Sequence, residues 1–197
     1  MTSTEKQPVR QRRAAFVGEL EQLARDLASE KEHRAQPARR KFAQLRRSLT
    51  GQRYEHEPMA LLFESDPPRE EEEVWLTIAG LFALNPRPGD ERLRLGEALG
   101  CLNETRPGST GQKRLRQLLA ADANSLPQHL RSALQLLASH NIAVDFRSLL
   151  NDAVTLLLPH RESEEKRRKV RWQWARDFHR HNTSSTSNSD TPLENDQ

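Results

Sequence analysis

The chain has 197 residues and a mass of 22.7 kDa, with 35% hydrophobic and 30% charged residues, a size that allows one domain or two small ones. No uncharged apolar run approaches the roughly 18 residues that a membrane span needs. The N-terminal residues lack the apolar segment of a secretory signal. The single cysteine, Cys101, excludes an internal disulfide and a Cys-rich zinc site. We therefore expect a cytoplasmic protein with no membrane partner.

The net charge of +3 is a sum of opposed blocks. Residues 34–53 contain seven bases and no acid, 55–73 contain eight acids and one base, 106–116 contain four bases and no acid, and 161–180 contain eight bases and four acids. Such segregation predicts surfaces of opposite sign. Of the 31 bases, 25 are arginine, whose planar fork suits phosphate. A GC-rich genome would also favour arginine codons but would not cluster them.

Helical periodicity dominates the N-terminal third of the chain. Residues 16–27 carry apolar side chains at i, i+4, i+7 and i+11, which indicates a long first helix. Pro37 is expected to interrupt the helical pattern, and a second apolar stripe then runs over 42–49. Residues 58–63 predict a short helix.

A strong helix start signal stands at residues 65–68, where prolines fall in the first turn. The helix that it opens extends to Asn85 and is apolar almost all round, so we expect it to be the most buried element. Residues 85–89, which are rich in proline and glycine, predict a loop and the best internal boundary.

Four or five helices are expected after this loop, at about 91–103, 110–121 and 126–140, then after an N-cap at Asp145, and finally from near Ser163. From Thr183 the chain is rich in Ser, Thr and Asn without periodicity, which predicts a disordered tail. The predicted fold is all-α, a compact bundle of about eight or nine helices. We divide the chain into an N-terminal helix and linker (1–36), an N-terminal helical sub-bundle (37–90), a C-terminal helical sub-bundle (91–182) and the tail (183–197).

Enzyme signatures are weak. Residues 108–113 resemble a phosphate-binding loop, but the spacing, the residue after the lysine and the preceding strand are all wrong. A capping box with Ser109 as N-cap and Gln112 three residues later explains them better. The acids at 70–73 suit the first turn of a helix, and His179 and His181 point to different sides of a helix. We therefore expect no catalytic activity, no metal and no cofactor.

Nucleic-acid binding is better supported, because bases recur on the solvent faces of three predicted helices. No base-reading motif accompanies them, so binding should be independent of sequence. The bases lie opposite or beside the apolar stripes: Arg39, Arg40, Arg46 and Arg47 on the second helix, Lys113, Arg114 and Arg116 on the helix over 110–121, and Arg168 with Arg176 on the last.

Two tryptophans of the last helix should differ in environment. Trp174 shares an apolar stripe with Val170 and Phe178, whereas Trp172 lies between Arg168 and Arg176 on another face. Trp172 either stacks on a base and holds the guanidinium groups by cation–π contact, or packs at a partner or internal interface.

The C-terminal half contains a series of segments in order: LGEALG (95–100), KRLRQLLAAD (113–122), LPQHLRSALQLL (126–137), VDFRSLLND (144–152) and VRWQWARDF (170–178). This series resembles the CasB family, the small subunits of the type I-E CRISPR Cascade complex. Upstream, LRRSL (45–49) and AGLFALNP (79–86) also fit the family in position and character. The resemblance does not cover the first 35 residues or the tail after Asn182.

The resemblance implies an all-helical, non-catalytic subunit of a CRISPR RNA-guided antiviral surveillance complex. It implies contact with other Cascade protein subunits, CRISPR guide RNA and the displaced single-stranded target DNA of the R-loop, together with self-association within the complex. Glu97 departs from the family, in which a base often follows LG. The residues that match the family's basic positions are Arg46, Arg47, Lys113, Arg114, Arg131, Arg168, Lys169 and Arg171, of which Arg131 comes from the resemblance alone.

Two other functions remain open at this point. One is a helical protein–protein scaffold whose arginine clusters pair with acidic partners without direct nucleic-acid contact. The other is a hydrolase, although the sequence offers no nucleophile–base pair. The acidic block at 55–73 would repel a nucleic acid strand and is therefore expected to face elsewhere, toward basic protein neighbours.

Overall fold

The computed structural model describes residues 7–50, 56–87, 92–105, 110–158 and 160–186. Within them the chain forms nine α-helices, one 3₁₀ turn at Arg69–Glu71 and no strand, only an isolated parallel bridge between Leu93 and Val144. The all-α prediction is confirmed. None of the described helices is long and apolar enough to cross a membrane. The helices are α1 (Val9–Leu27), α2 (Glu32–Ser48), α3 (His56–Glu64), α4 (Glu72–Phe82), α5 (Leu95–Thr105), α6 (Thr110–Ala120), α7 (Leu126–Ser139), α8 (Phe146–Leu157) and α9 (Glu164–Thr186).

Helix α4 lies at the centre of the packing, against α1, α2, α3, α7 and α8. Eight of its eleven residues are buried, which confirms the prediction that this helix is the most buried element. Aromatic rings join it to its neighbours: Trp75 lies 5.0 Å from Phe16 of α1 and Phe82 lies 4.9 Å from Phe146 of α8, measured between ring centroids. One hydrophobic cluster therefore extends from α1 to α9.

Helix α9 packs most extensively against α5. A Cβ atom on Gly96 would overlap the carbonyl oxygen of Trp174, and one on Gly100 would lie 2.9 Å from the Cβ of His181. Two glycines four residues apart thus form a flat stripe on α5 that lets the α9 backbone approach closely. Trp174 and Phe178 are buried on this side of α9.

A buried carboxylate links α1 to the segment between α8 and α9. Glu71, which is fully buried, accepts hydrogen bonds from Arg13 of α1 at 2.6 and 2.8 Å, from Trp75 Nε1 at 3.0 Å and from Arg161 Nη1 at 2.7 Å. Burial raises the pKa of Glu71, but the hydrogen bonds from Arg13 and Trp75 and the charges of Arg13 and Arg161 outweigh it and hold the pKa below its ordinary value. Arg13 also donates to Asn151 Oδ1 of α8 at 3.0 Å.

Pro37 does not interrupt the helix. It lies inside α2, which runs through the expected boundary between residues 36 and 37. Proline removes one hydrogen bond, to the carbonyl of His33 four residues earlier, and this turn is exposed so that water can replace the bond. The apolar face is continuous across the site, because Ala35 and Ala38 are both buried beside Phe42. Tertiary packing therefore offsets the loss.

The other helix boundaries agree more closely with those predicted from the sequence. Asp145 caps α8 as predicted, since its carboxylate accepts from the backbone N–H groups of Arg147 and Ser148. The start signal at 65–68 opens a 3₁₀ turn before α4 begins at Glu72. Helix α9 continues to Thr186 and so includes the first residues of the expected tail. Residues 187–197, Ser109 of the predicted capping box and the boundary near residue 90 lie outside the described residues, and the division into sub-bundles stays a prediction.

We expect Trp174→Ala to destabilise the protein by about 3–5 kcal/mol, because it removes a buried ring that is 1% exposed. Trp172→Ala should change the free energy of unfolding by only about 0.5 kcal/mol, because that ring is 65% exposed. Urea unfolding of both variants measures the difference, and equal losses would contradict the assignment of the two helix faces.

Glu71→Gln should cost about 3–5 kcal/mol, because it leaves two partly buried guanidinium groups without their carboxylate. Glu70→Gln is the matched control: Glu70 is exposed and its carboxylate lies 3.8 Å from the same Arg161, so its loss should cost about 1 kcal/mol at most. Because the folded-state pKa of Glu71 is lowered, its stabilisation is present above the ordinary value of 4.5 and is lost as the pH falls through the folded-state pKa. Denaturant unfolding at pH 7 and pH 3 tests both statements.

Asp152 of α8 has the opposite behaviour. Burial raises its pKa to about 6, although Trp174 Nε1 donates to its Oδ2 at 2.7 Å and the charge of Arg94 acts in the other direction. The folded state therefore binds this proton more tightly than the unfolded chain, and stability falls as the pH rises from about 4 to about 6. Asp152→Asn removes this dependence. The free energy of unfolding of the variant, relative to that of the wild type, should therefore be higher at pH 8 than at pH 4. A pH-independent difference in the free energy of unfolding would contradict this.

Candidate nucleic-acid interface

The four arginines of α2 that the sequence predicts as binding residues are all exposed, whereas Phe42 and Leu45 of the same helix are buried. Arg39 Nη1 pairs with Glu32 Oε1 of the same helix at 2.8 Å, where both side chains are exposed. Arg46 Nη1 donates to the carbonyl oxygen of Ala83 at 3.2 Å, and Ala83 is the C-cap residue of α4. Arg46 thus also satisfies a terminal helix carbonyl, a structural contact that the sequence did not indicate.

Arg131 of α7 is half-buried and lines a cavity of about 240 Å³ between the end of α2, α4 and the start of α7. Glu73 lines the same cavity. The expectation that the acidic block faces away from the basic positions is therefore wrong in part: Glu73 shares a cavity with Arg131, and Glu71 is buried. The other residues of this cavity are Ser48, Leu49, Leu76, Thr77, Asn124, Pro127 and Gln128.

The bases of α6 differ in exposure. Lys113 and Arg116 are exposed, whereas Arg114 is half-buried and donates from Nη1 to Gln117 Oε1 at 3.0 Å. Leu115 and Leu118 are buried on the opposite side. Lys113 and Arg116 are therefore the two cations of α6 that are exposed to solvent.

The exposed side of α9 forms a shallow open groove around Trp172, lined only by side chains of this one helix. Arg168, Lys169, Gln173 and Arg176 form the rest of the groove. Arg168, Lys169 and Arg176 are exposed, and Lys169 Nζ forms an ion pair with Glu165 Oε1 at 2.7 Å. The groove thus exposes the indole ring of Trp172 with three cationic side chains around it.

Arg171 has a different environment from its neighbours on α9. It is half-buried, and its Nη2 donates to the carbonyl oxygen of Ala121 at 3.0 Å, just after the end of α6. This bond links α6 to α9, so Arg171 contributes to helix packing as well as to positive charge.

The packing gathers these bases into two groups. Helix α2 packs with α1, α3 and α4, and its C-terminal end shares the cavity of Arg131. Helices α6 and α9 pack against each other and against α5. The α2 group contains Arg39, Arg40, Arg46, Arg47 and Arg131, and the α6–α9 group contains Lys113, Arg114, Arg116, Arg168, Lys169 and Arg171.

The profile of the family described as CRISPR-associated protein Cse2 matches residues 41–179, well over half of the chain. The chain belongs to the Cse2 family. The resemblance to CasB proteins noted in the sequence is confirmed. A search of curated protein sequences found none similar to this chain.

Solved structures of CasB proteins share the fold of this Cse2 chain. CasB from M. ruber is 25% identical, with a TM-score of 0.63 over 90% of this chain and 98% of that chain. CasB from Thermus thermophilus is 26% identical, with a TM-score of 0.56 over 82% of this chain and 96% of that chain. A chain of a CRISPR RNA-guided surveillance complex is 19% identical, with a TM-score of 0.67 over 92% and 98%, a likeness that shows the fold alone.

Glu97, the departure from the family pattern, has a structural role in this Cse2 chain. Its Oε2 accepts a hydrogen bond at 3.0 Å from the backbone N–H of Arg94, just before α5 begins at Leu95. A glutamate in the first turn thus satisfies a terminal N–H group, as in a capping box. A base at this position would lose that bond.

The sequence spacing puts Arg176 in a row with Arg168 and Trp172, and Arg176 is not among the residues that match the family's basic positions. The structure places Arg176 in the same groove. The i, i+4, i+8 spacing of Arg168, Trp172 and Arg176 is the sequence signal that predicts this position. Gln173 also lines this groove, and no spacing rule pointed to it.

Proposed function

We propose that this Cse2 chain is a non-catalytic subunit of a CRISPR RNA-guided surveillance complex of the Cascade type. In this role it binds the displaced single strand of target DNA, the guide RNA backbone, or both, by sequence-independent contacts of its basic surface. The observation that carries the proposal is the exposure of cations on α2, α6 and α9 in a member of this family. Its partners would be the other Cascade protein subunits and, within the complex, a second copy of itself.

The energetics of an R-loop explain what such a surface would do. The RNA–DNA hybrid is about as stable as the DNA duplex that it replaces, so strand exchange is nearly balanced and the displaced strand can re-anneal. Cations that hold the phosphates of that strand disfavour re-annealing without reading its bases. The energy comes largely from counterion release and falls as salt rises.

The exposed positions suit this role better than the half-buried ones. Arg40, Arg47, Lys113 and Arg168 are exposed, so phosphates can approach their charged ends. Arg131 shares its cavity with the carboxylate of Glu73, which would repel a phosphate there. We therefore assign strand binding chiefly to the exposed bases of α2, α6 and α9.

The scaffold alternative keeps the same arginines but gives them acidic protein partners. It is favoured by the arginines that already bind protein groups, such as Arg46 on the Ala83 carbonyl. The two functions differ in salt-dependent binding of purified protein to single-stranded DNA, which only the first predicts.

Arg46→Ala with Arg47→Ala should weaken binding to single-stranded DNA equally for unrelated sequences. The slope of log affinity against log salt should shrink by about 0.7 per lost phosphate contact. Fluorescence anisotropy over a salt series measures both. The matched control is Arg10→Ala with Arg25→Ala, two exposed bases of α1 outside the proposed surface, which changes the net charge by the same amount.

The α2 variant also loses the bond to the Ala83 carbonyl, so its free energy of unfolding must be measured alongside. We expect a loss of about 1 kcal/mol from that bond, too small to unfold the protein. An affinity and slope equal to those of the control variant would remove α2 from the interface. No salt-dependent binding by the wild-type protein would leave the scaffold function.

A further inference from the structure

We propose that Trp172 is a base-stacking platform that makes the α9 groove a site for single-stranded nucleic acid rather than duplex. The inference rests on the proposed function and adds to it the residue that selects a single strand over a duplex.

The starting observation is the exposure of a large aromatic ring. Trp172 is 65% exposed, and among the described residues the only other exposed large hydrophobic side chain is Phe63, at 51%. Exposed tryptophan is uncommon on a protein surface that has no partner, and tryptophan is enriched where a partner binds. The ring cannot join the chain's own core, because Trp174 and Phe178 occupy the face of α9 that packs on α5.

The charges around the ring define the kind of partner. Arg168 precedes Trp172 by one helical turn and Arg176 follows it by one turn, so cations stand on both sides of the ring about 12 Å apart along the helix. Among the described residues, no carboxylate lines the groove, and neither arginine forms an ion pair with a described acid. Two acids of the first turn of α9 act on these cations: Glu165 pairs with Lys169, and the charge of Arg168 is among those that lower the pKa of Glu164.

A ligand that fits must offer a flat apolar face with negative charge on both sides of it. A nucleotide within a single strand has this form, since its base can stack on indole while the flanking phosphates meet the guanidinium groups. Bases in a duplex are already stacked on each other and cannot reach the ring. An acidic protein helix offers the charge but no flat face, so the observations favour the nucleic acid.

Stacking on aromatic side chains is tolerant of sequence, because every base has a π-face. The platform therefore fits a surface without base-reading contacts. It would also add affinity that salt does not screen, which distinguishes Trp172 from the arginines around it.

The test compares the wild type with Trp172→Ala and Trp172→Phe on three probes: a 20-nucleotide single strand, a duplex of the same length, and an abasic single strand that keeps the phosphates. Trp172→Ala should weaken single-strand binding about 5- to 100-fold without changing the salt slope, and Trp172→Phe should restore most of the affinity. Binding to the duplex and to the abasic strand should not change. Binding should also quench tryptophan fluorescence in the wild type but not in Trp172→Ala, because Trp75 and Trp174 are buried.

Failure of this inference differs from failure of the proposed function. If Trp172→Ala binds the single strand as the wild type does, while the α2 variant is weakened, the platform is wrong and the function stands. If the wild type shows no salt-dependent binding, the function fails and the platform with it. Loss of self-association in Trp172→Ala, measured by light scattering with single-strand affinity unchanged, would assign the ring to a protein interface and overturn the inference.

Discussion

One buried carboxylate, that of Glu71, links three parts of the fold. Glu71 stands at the N-terminus of α4, where the positive end of the helix dipole favours a negative charge, and it holds Arg13, Trp75 and Arg161 within 3.0 Å. These partners come from α1, α4 and the segment between α8 and α9. A buried ion pair is weak evidence of net stability, but its partners are held in place: Glu71 ties α1 and the segment before α9 to the start of the central helix.

That constraint decides which faces reach solvent. With α4 buried at the centre and α9 held at its start beside Arg161, α9 packs Trp174 and Phe178 on the glycine stripe of α5. The opposite side of α9 is left exposed, and it carries Trp172 between two arginines. Helix α2 is placed in the same way: its apolar face packs on α1 and α4, and its arginines remain outside. The basic side chains are thus exposed because the apolar faces of α2 and α9 are the ones that pack in the core.

Much of this follows from periodicity in the sequence. The faces of α9, the N-cap at Asp145 and the burial of α4 were all predictable because each depends on residues close together in the chain. Pro37 was misjudged because the packing of Ala35 and Ala38 outweighs the local cost of proline. Contacts between distant residues, such as Arg13 with Glu71, Arg46 with Ala83 and Arg131 with the cavity of Glu73, could not be predicted, because no spacing rule relates them.

These distant contacts also change what the excess of arginine means. Arg13, Arg92 and Arg161 hold the buried carboxylates Glu71 and Glu21, and Arg171 binds a carbonyl near the end of α6. Arginine serves these roles because its fork satisfies several acceptors at once and it stays charged when partly buried. Clustering in sequence therefore cannot separate binding arginines from structural ones, and exposure alone does not either, since Arg161 is exposed and still binds the buried Glu71. The partner of each guanidinium decides, because a phosphate can replace the water around an arginine but cannot displace a buried carboxylate that already binds it.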